Sequence, residues 1–144
     1  MWIIFSILAA VVWGGDYIFA EQVIKKISLF SFLAIQLCFA FIIASGIALL
    51  SGHLKKDLAT VGSSSQLLWF LILGIVAFTA GNLFILGSIH SKNATLAGLI
   101  EISYPLFIAI FAYLFFKEAQ ITFATAIGGL LIFGGVFVIY FFNR

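Results

Sequence analysis

Charge is scarce in this chain. Of its 144 residues, seven are Lys or Arg and five are Asp or Glu. The net charge of +2 is scattered over connecting stretches and forms no basic cluster, which excludes nucleic acid as a partner. Cysteine occurs once, as Cys38 inside an apolar run, so an intrachain disulfide is excluded. The two histidines, His53 and His90, are widely separated and make no metal site. Neither a nucleophile–base pair nor a metal-ligand cluster is legible, so an enzyme is the least expected class and no metal or cofactor is implied. Proline also occurs once, as Pro105.

What the chain has instead is apolar surface: 65% of residues are hydrophobic and the mean hydropathy is +1.30. No soluble domain can hide that much, so the sequence predicts an all-α integral membrane protein. A helix crosses ~30 Å of hydrocarbon with ~20 residues. Five stretches qualify as transmembrane helices: residues 2–24, 29–50, 67–89, 94–116 and 121–142. The first 15 residues are apolar like a signal sequence. They are preceded by no Lys or Arg and run into Asp16 and Tyr17 without a small-residue cleavage site, so they are read as a retained span. Connections 25–28, 90–93 and 117–120 are tight turns, which make neighbouring helices antiparallel. Only 51–66 is long, and its polar, breaker-rich GHLKKDLATVGSSS predicts an exposed loop. No internal repeat is visible, and residues 1–144 read as one domain.

The fourth stretch, ATLAGLIEISYPLFIAIFAYLFFKE, carries the most chemistry. Glu101 lies one turn before Pro105, and a carboxylate at bilayer depth costs roughly 2.5–3.5 kcal/mol on insertion scales. Pro105 has no N–H, so the Glu101 carbonyl loses its helical partner and a kink is expected there. Gly98, Glu101, Pro105, Ala109 and Ala112 recur at helical spacing and are expected on one small, polar face. Such a face is either a cavity wall or a packing seam whose acid bonds to a neighbour. In the first span Trp13, Asp16 and Tyr17 share a side, where aromatic rings flank a carboxylate. That arrangement suits a cationic or amine-bearing solute, or alternatively an interfacial aromatic belt. Gln36 and Asn82 are intramembrane amides, either ligands or interhelical links. Counting depth at ~1.5 Å per residue places Asp16, Gln36, Asn82 and Glu101 within ~4–6 Å of the midplane on the same side, as a wetted cavity would require. Ala124, Gly128, Gly129, Gly134 and Gly135 in the fifth span form small-residue spacing and are the candidate packing or dimer interface.

Glu101-Ile-Ser-Tyr-Pro105-Leu106, the closing Lys117-Glu118, the glycine-rich GGLLIFGGVFVIY and the early Trp13-Gly14-Gly15 together resemble the EamA domain of the drug/metabolite transporter superfamily. The resemblance covers nearly the whole chain and is most specific over residues 94–140. It implies a single EamA-type unit of five transmembrane helices, multi-pass in the inner (plasma) membrane. It also implies a secondary transporter, an exporter of small metabolites such as amino acids. Alternating access would place substrate among Trp13, Asp16, Tyr17, Gln36, Asn82, Glu101 and Tyr104, with Glu101 or Asp16 as the proton-coupling acid. Most members join two such domains in inverted orientation. This sequence supplies one, which points to pairing with a second copy or a homologous subunit. Two other readings are a non-transporting partner subunit and a component of a lipid-linked-sugar flippase.

Orientation follows from basic residues. The N-terminal side holds Lys55, Lys56 and Lys117, and the opposite side Lys25, Lys26, Lys92 and Arg144. So small a bias predicts insertion both ways, and with it an antiparallel homodimer.

Overall fold

The computed structural model describes residues 1–118 and 121–142. Arg144, one of the basic residues used to read orientation, lies outside them. The described residues form helices α1 (Trp2–Ile24), α2 (Leu29–Leu50), α3 (Leu54–Ser63), α4 (Ser65–Ser91), α5 (Ala94–Glu101), α6 (Tyr104–Phe116) and α7 (Phe123–Phe142). Five spans are long and apolar enough to cross a membrane: α1, α2, α4, α7, and α5 with α6 taken together as Ala94–Phe116. Hydrocarbon offers no partner to a backbone amide or carbonyl. A helix, which satisfies them internally, is therefore the form these apolar runs must take.

Helix ends are set by local side chains. Ser28 opens α2 by accepting from the Ser31 amide at 3.2 Å. Asn93 opens α5 by accepting from the Leu96 amide at 2.8 Å. Thr122 and Thr125 cap the start of α7 reciprocally, each hydroxyl accepting from the other's amide, at 3.2 and 2.7 Å. Lys117 stops α6 by turning left-handed (φ 59°), with the Glu118 amide bonded back to the Ala112 carbonyl at 3.2 Å.

Two sequence expectations change here. The stretch read as an exposed loop, 51–66, contains the ten-residue helix α3. The span read as one kinked helix is two helices. The Ser103 amide reaches the Ile100 carbonyl at 3.2 Å and the Leu106 amide reaches Ser103 at 3.1 Å, both three residues back. This tight winding at Ile102–Ser103 precedes Pro105, which cannot donate to a carbonyl four residues earlier.

The chain forms two compact units. The first comprises Met1–Ile18 and Ser91–Arg144, the second Phe19–His90. In the second unit Ala20, Leu33 and Leu86 form a buried cluster, with Leu29, Phe32, Leu37 and Leu83 packed around it. In the first, Ala94, Ala97, Ala112 and Gly129 are buried, and α5 lies against α7. Small side chains dominate that core because close backbone approach, rather than expulsion of water, is what holds helices together in lipid. Large apolar side chains, among them Phe39, Phe41, Ile42 and Ile43 of α2, face outward, a surface suited to hydrocarbon.

Candidate functional site

The first unit brings the aromatic pair of α1 to the acid at the end of α5. The Tyr17 hydroxyl donates to Glu101 Oε2 at 2.5 Å, between residues 84 positions apart in sequence. Both side chains are half-buried. The Tyr17 ring is set from two sides. Trp13, one turn earlier on α1, stands with its ring centroid 5.9 Å away at an interplanar angle of 59°. On the other side is Gly98, one turn before Glu101. A β-carbon there would meet Tyr17 Cδ2 at 3.5 Å, so the backbone of α5 comes close to the ring. A hydrogen bond to a charged acceptor contributes on the order of 1.5–3 kcal/mol when buried and less where both partners are half-exposed. Asp16 is half-buried beside Tyr17, and Asp16 and Tyr104 lie within electrostatic range of the Tyr17 hydroxyl. Tyr104, the first residue of α6, is 57% exposed.

The remaining polar candidates belong to the second unit. Gln36 is half-buried on α2. Asn82 is half-buried on α4, where its Nδ2 donates at 2.9 Å to the Phe78 carbonyl of its own helix.

The expected shared face on the fourth span is interrupted. Gly98 and Glu101 are turned inward with Ala94 and Ala97, and Ala109 and Ala112 continue the inward side on α6. Pro105 is exposed and Leu106 takes the inward place. The tight winding at Ile102–Ser103 advances the rotation of α6 relative to a continuous helix, which shifts the face by about one residue. Ser103, not singled out from sequence, ties this turn by donating its hydroxyl to the Ile100 carbonyl at 2.9 Å. A serine ahead of a proline in an apolar run was the available signal.

The small residues of α7 divide. Gly129 is buried against Leu106, where an added β-carbon would overlap Leu106 Cδ2, so it is a contact within the chain. At Gly128, Gly134 and Gly135 an added β-carbon would meet nothing within 4 Å, and Ala124 is exposed. Gly129 thus packs within the chain, one of the two roles expected of this stripe. Among the described residues no group of His, Cys, Asp or Glu is arranged to hold a metal.

Five apolar spans with an acid and its tyrosine partner drawn together from two of them describe a multi-pass membrane protein. The model of the EamA-like transporter family matches residues 1–141, and the chain belongs to that family. Comparison with curated proteins found no significant match, and comparison with solved structures found none either.

Proposed function

We propose that the chain is half of a proton-coupled secondary transporter that exports small cationic or amine-bearing metabolites across the inner membrane. The observation that carries this reading is the Tyr17–Glu101 hydrogen bond. It holds a carboxylate inside a membrane span, beside aromatic rings and next to a helix break. Family membership supplies the transporter class.

An ionised, unpaired carboxylate crossing the hydrocarbon is unfavourable by several kcal/mol, so the empty charged state does not reorient. A proton or a cationic substrate can each neutralise Glu101, but not both at once. Reorientation in either neutralised form exchanges one for the other, which couples export to proton entry. In the resting site the Tyr17 O–H occupies the carboxylate. An arriving ammonium displaces it with a stronger, charge-assisted bond and rests against the Trp13 and Tyr17 rings. Asp16 adds to the attraction, and Tyr104 supplies a contact to the rest of the solute. The free carbonyl expected at the Pro105 break is a further acceptor. Pairing with a second, inverted copy completes the translocation path, as inverted repeats do in larger transporters.

The test is flux in proteoliposomes carrying a pH gradient, using a panel of labelled amine-bearing metabolites. Glu101→Gln keeps a carbonyl oxygen to accept from Tyr17 and cannot cycle a proton. It is expected to fold normally and to lose gradient-driven flux by at least tenfold. Wild-type flux in this variant would assign Glu101 to helix packing.

A further inference from the structure

α3 has no part in the site above, yet among the described helices its two faces contrast most in chemistry. Leu54, Leu58 and Val61 recur at helical spacing and fall within about 60° of one another around the axis. Lys55, Lys56, Thr60 and Ser63 occupy the other side, and Asp57, in the first turn, borders the apolar face. The two hydroxyls are satisfied within the helix, Thr60 by the Lys56 carbonyl and Ser63 by the Thr60 carbonyl, both at 2.9 Å. Lys55 and Lys56 make no ion pair among the described residues. No residue of α3 is buried; Leu54 and Val61 are half-buried and Leu58 is 63% exposed. The chain itself thus leaves the centre of the apolar face open.

Connectivity decides what covers that face. α3 follows α2 after Ser51, Gly52 and His53, and a single residue, Ser64, separates it from α4. Gly52 takes a left-handed backbone (φ 72°) that turns the chain off the end of α2. Both neighbours are of membrane-spanning length. Three residues reach at most ~10 Å and one ~3.5 Å, so α3 is held at the bilayer surface. At ~1.5 Å per residue it is about 15 Å long, too short to cross. An amphipathic helix fixed there places its apolar face in the acyl boundary and its lysines at phosphate level.

We propose that α3 is a membrane-surface anchor, with Leu54, Leu58 and Val61 seated among lipid chains and Lys55 and Lys56 bound to the headgroups of anionic phospholipids. Each lysine near an anionic surface favours binding roughly fivefold.

The test uses the full chain with Cys38→Ser, carrying a single environment-sensitive fluorophore at Leu58→Cys, Val61→Cys or Lys56→Cys. It is reconstituted into phosphatidylcholine vesicles with and without phosphatidylglycerol. Labels at 58 and 61 are expected to be quenched by bromolipid, and to react with an aqueous reductant severalfold more slowly than the label at 56. Equal aqueous access at all three positions would show that α3 stands off the membrane. Protection at 58 without bromolipid quenching would mean that protein, such as a second copy, covers the face. For the headgroup, the purified chain is expected to retain phosphatidylglycerol over phosphatidylcholine. That preference should fall severalfold in the Lys55→Gln/Lys56→Gln double variant. An unchanged preference would overturn the role of the two lysines.

Discussion

Tyr17 is the residue on which the site turns, because it both closes on the acid and is itself positioned by two neighbours. Its ring is fixed by Trp13 and by the bare backbone of Gly98, while its hydroxyl is committed to Glu101. Tyr17→Phe keeps the ring and removes only the donor. It is expected to lower stability by about 1 kcal/mol, below the range for a buried bond to a charged acceptor because both partners are half-exposed. Thermal unfolding in detergent checks this value. If the hydroxyl competes with substrate for the carboxylate, the same variant binds a cationic metabolite at least as tightly as wild type. Much weaker binding by titration calorimetry would instead make Tyr17 a direct substrate ligand. Neither outcome was foreseeable from the residues alone. Trp13, Tyr17 and Glu101 are each legible as candidates by type and spacing, but no local rule pairs positions 84 apart.

At the scale of elements, the break between α5 and α6 and the close approach of α6 to α7 are the two features open to direct test. Pro105 lies in the first turn of α6, where a missing N–H is tolerated. Pro105→Ala therefore gains little stability, about 1 kcal/mol, by restoring one hydrogen bond to the Glu101 carbonyl and letting the helices merge. Its transport rate is expected to fall, since merging withdraws that carbonyl from the site. Wild-type flux alongside a raised melting temperature would make the break incidental. Gly129→Ala drives a methyl group into Leu106, with an overpacking penalty of roughly 1–3 kcal/mol. The yielding end of a leucine and the better helix propensity of alanine, worth up to about 1 kcal/mol, reduce the net effect. Gly128→Ala and Gly134→Ala meet nothing within the chain and gain only the propensity. The expected order of melting temperatures puts Gly129→Ala lowest, with recovery when Leu106→Ala is added. If Gly128→Ala or Gly134→Ala weakens association instead, measured by crosslinking or light scattering, that stripe is the subunit interface.

At the scale of the whole molecule, orientation rests on very few charges. Lys55 and Lys56 sit on α3, between α2 and α4, while Lys25, Lys26 and Lys92 follow the far ends of α1 and α4. Lys25 is paired with Glu21 at 2.8 Å in an i,i+4 bridge. Carboxylates contribute little to orientation, so Lys25 still counts. With the bias this small, C-terminal reporters active only inside the cytoplasm and only outside it are both expected to give signal in separate fusions. Two further lysines placed on α3 should make the topology single-sided. Wild-type signal from one compartment alone would leave a fixed orientation and a partner that is not an inverted copy of this chain.

Composition determined the five spans, because in hydrocarbon a long apolar run has no alternative to satisfying its backbone as helix. The single proline likewise marked where one span breaks, since its missing N–H is a covalent fact. α3 escaped because Gly52 and the polar residues around it outweigh the short spacing of Leu54, Leu58 and Val61, a period too brief to stand out. The rotation of each span escaped for a deeper reason. Lipid is as apolar as a neighbouring helix, so the inward and outward faces of α2, α4 and α7 carry no hydrophobic contrast to read. Only packing decided that Gly129 meets Leu106, that Pro105 faces out, and that the tyrosine of the first span closes on the acid of the fourth.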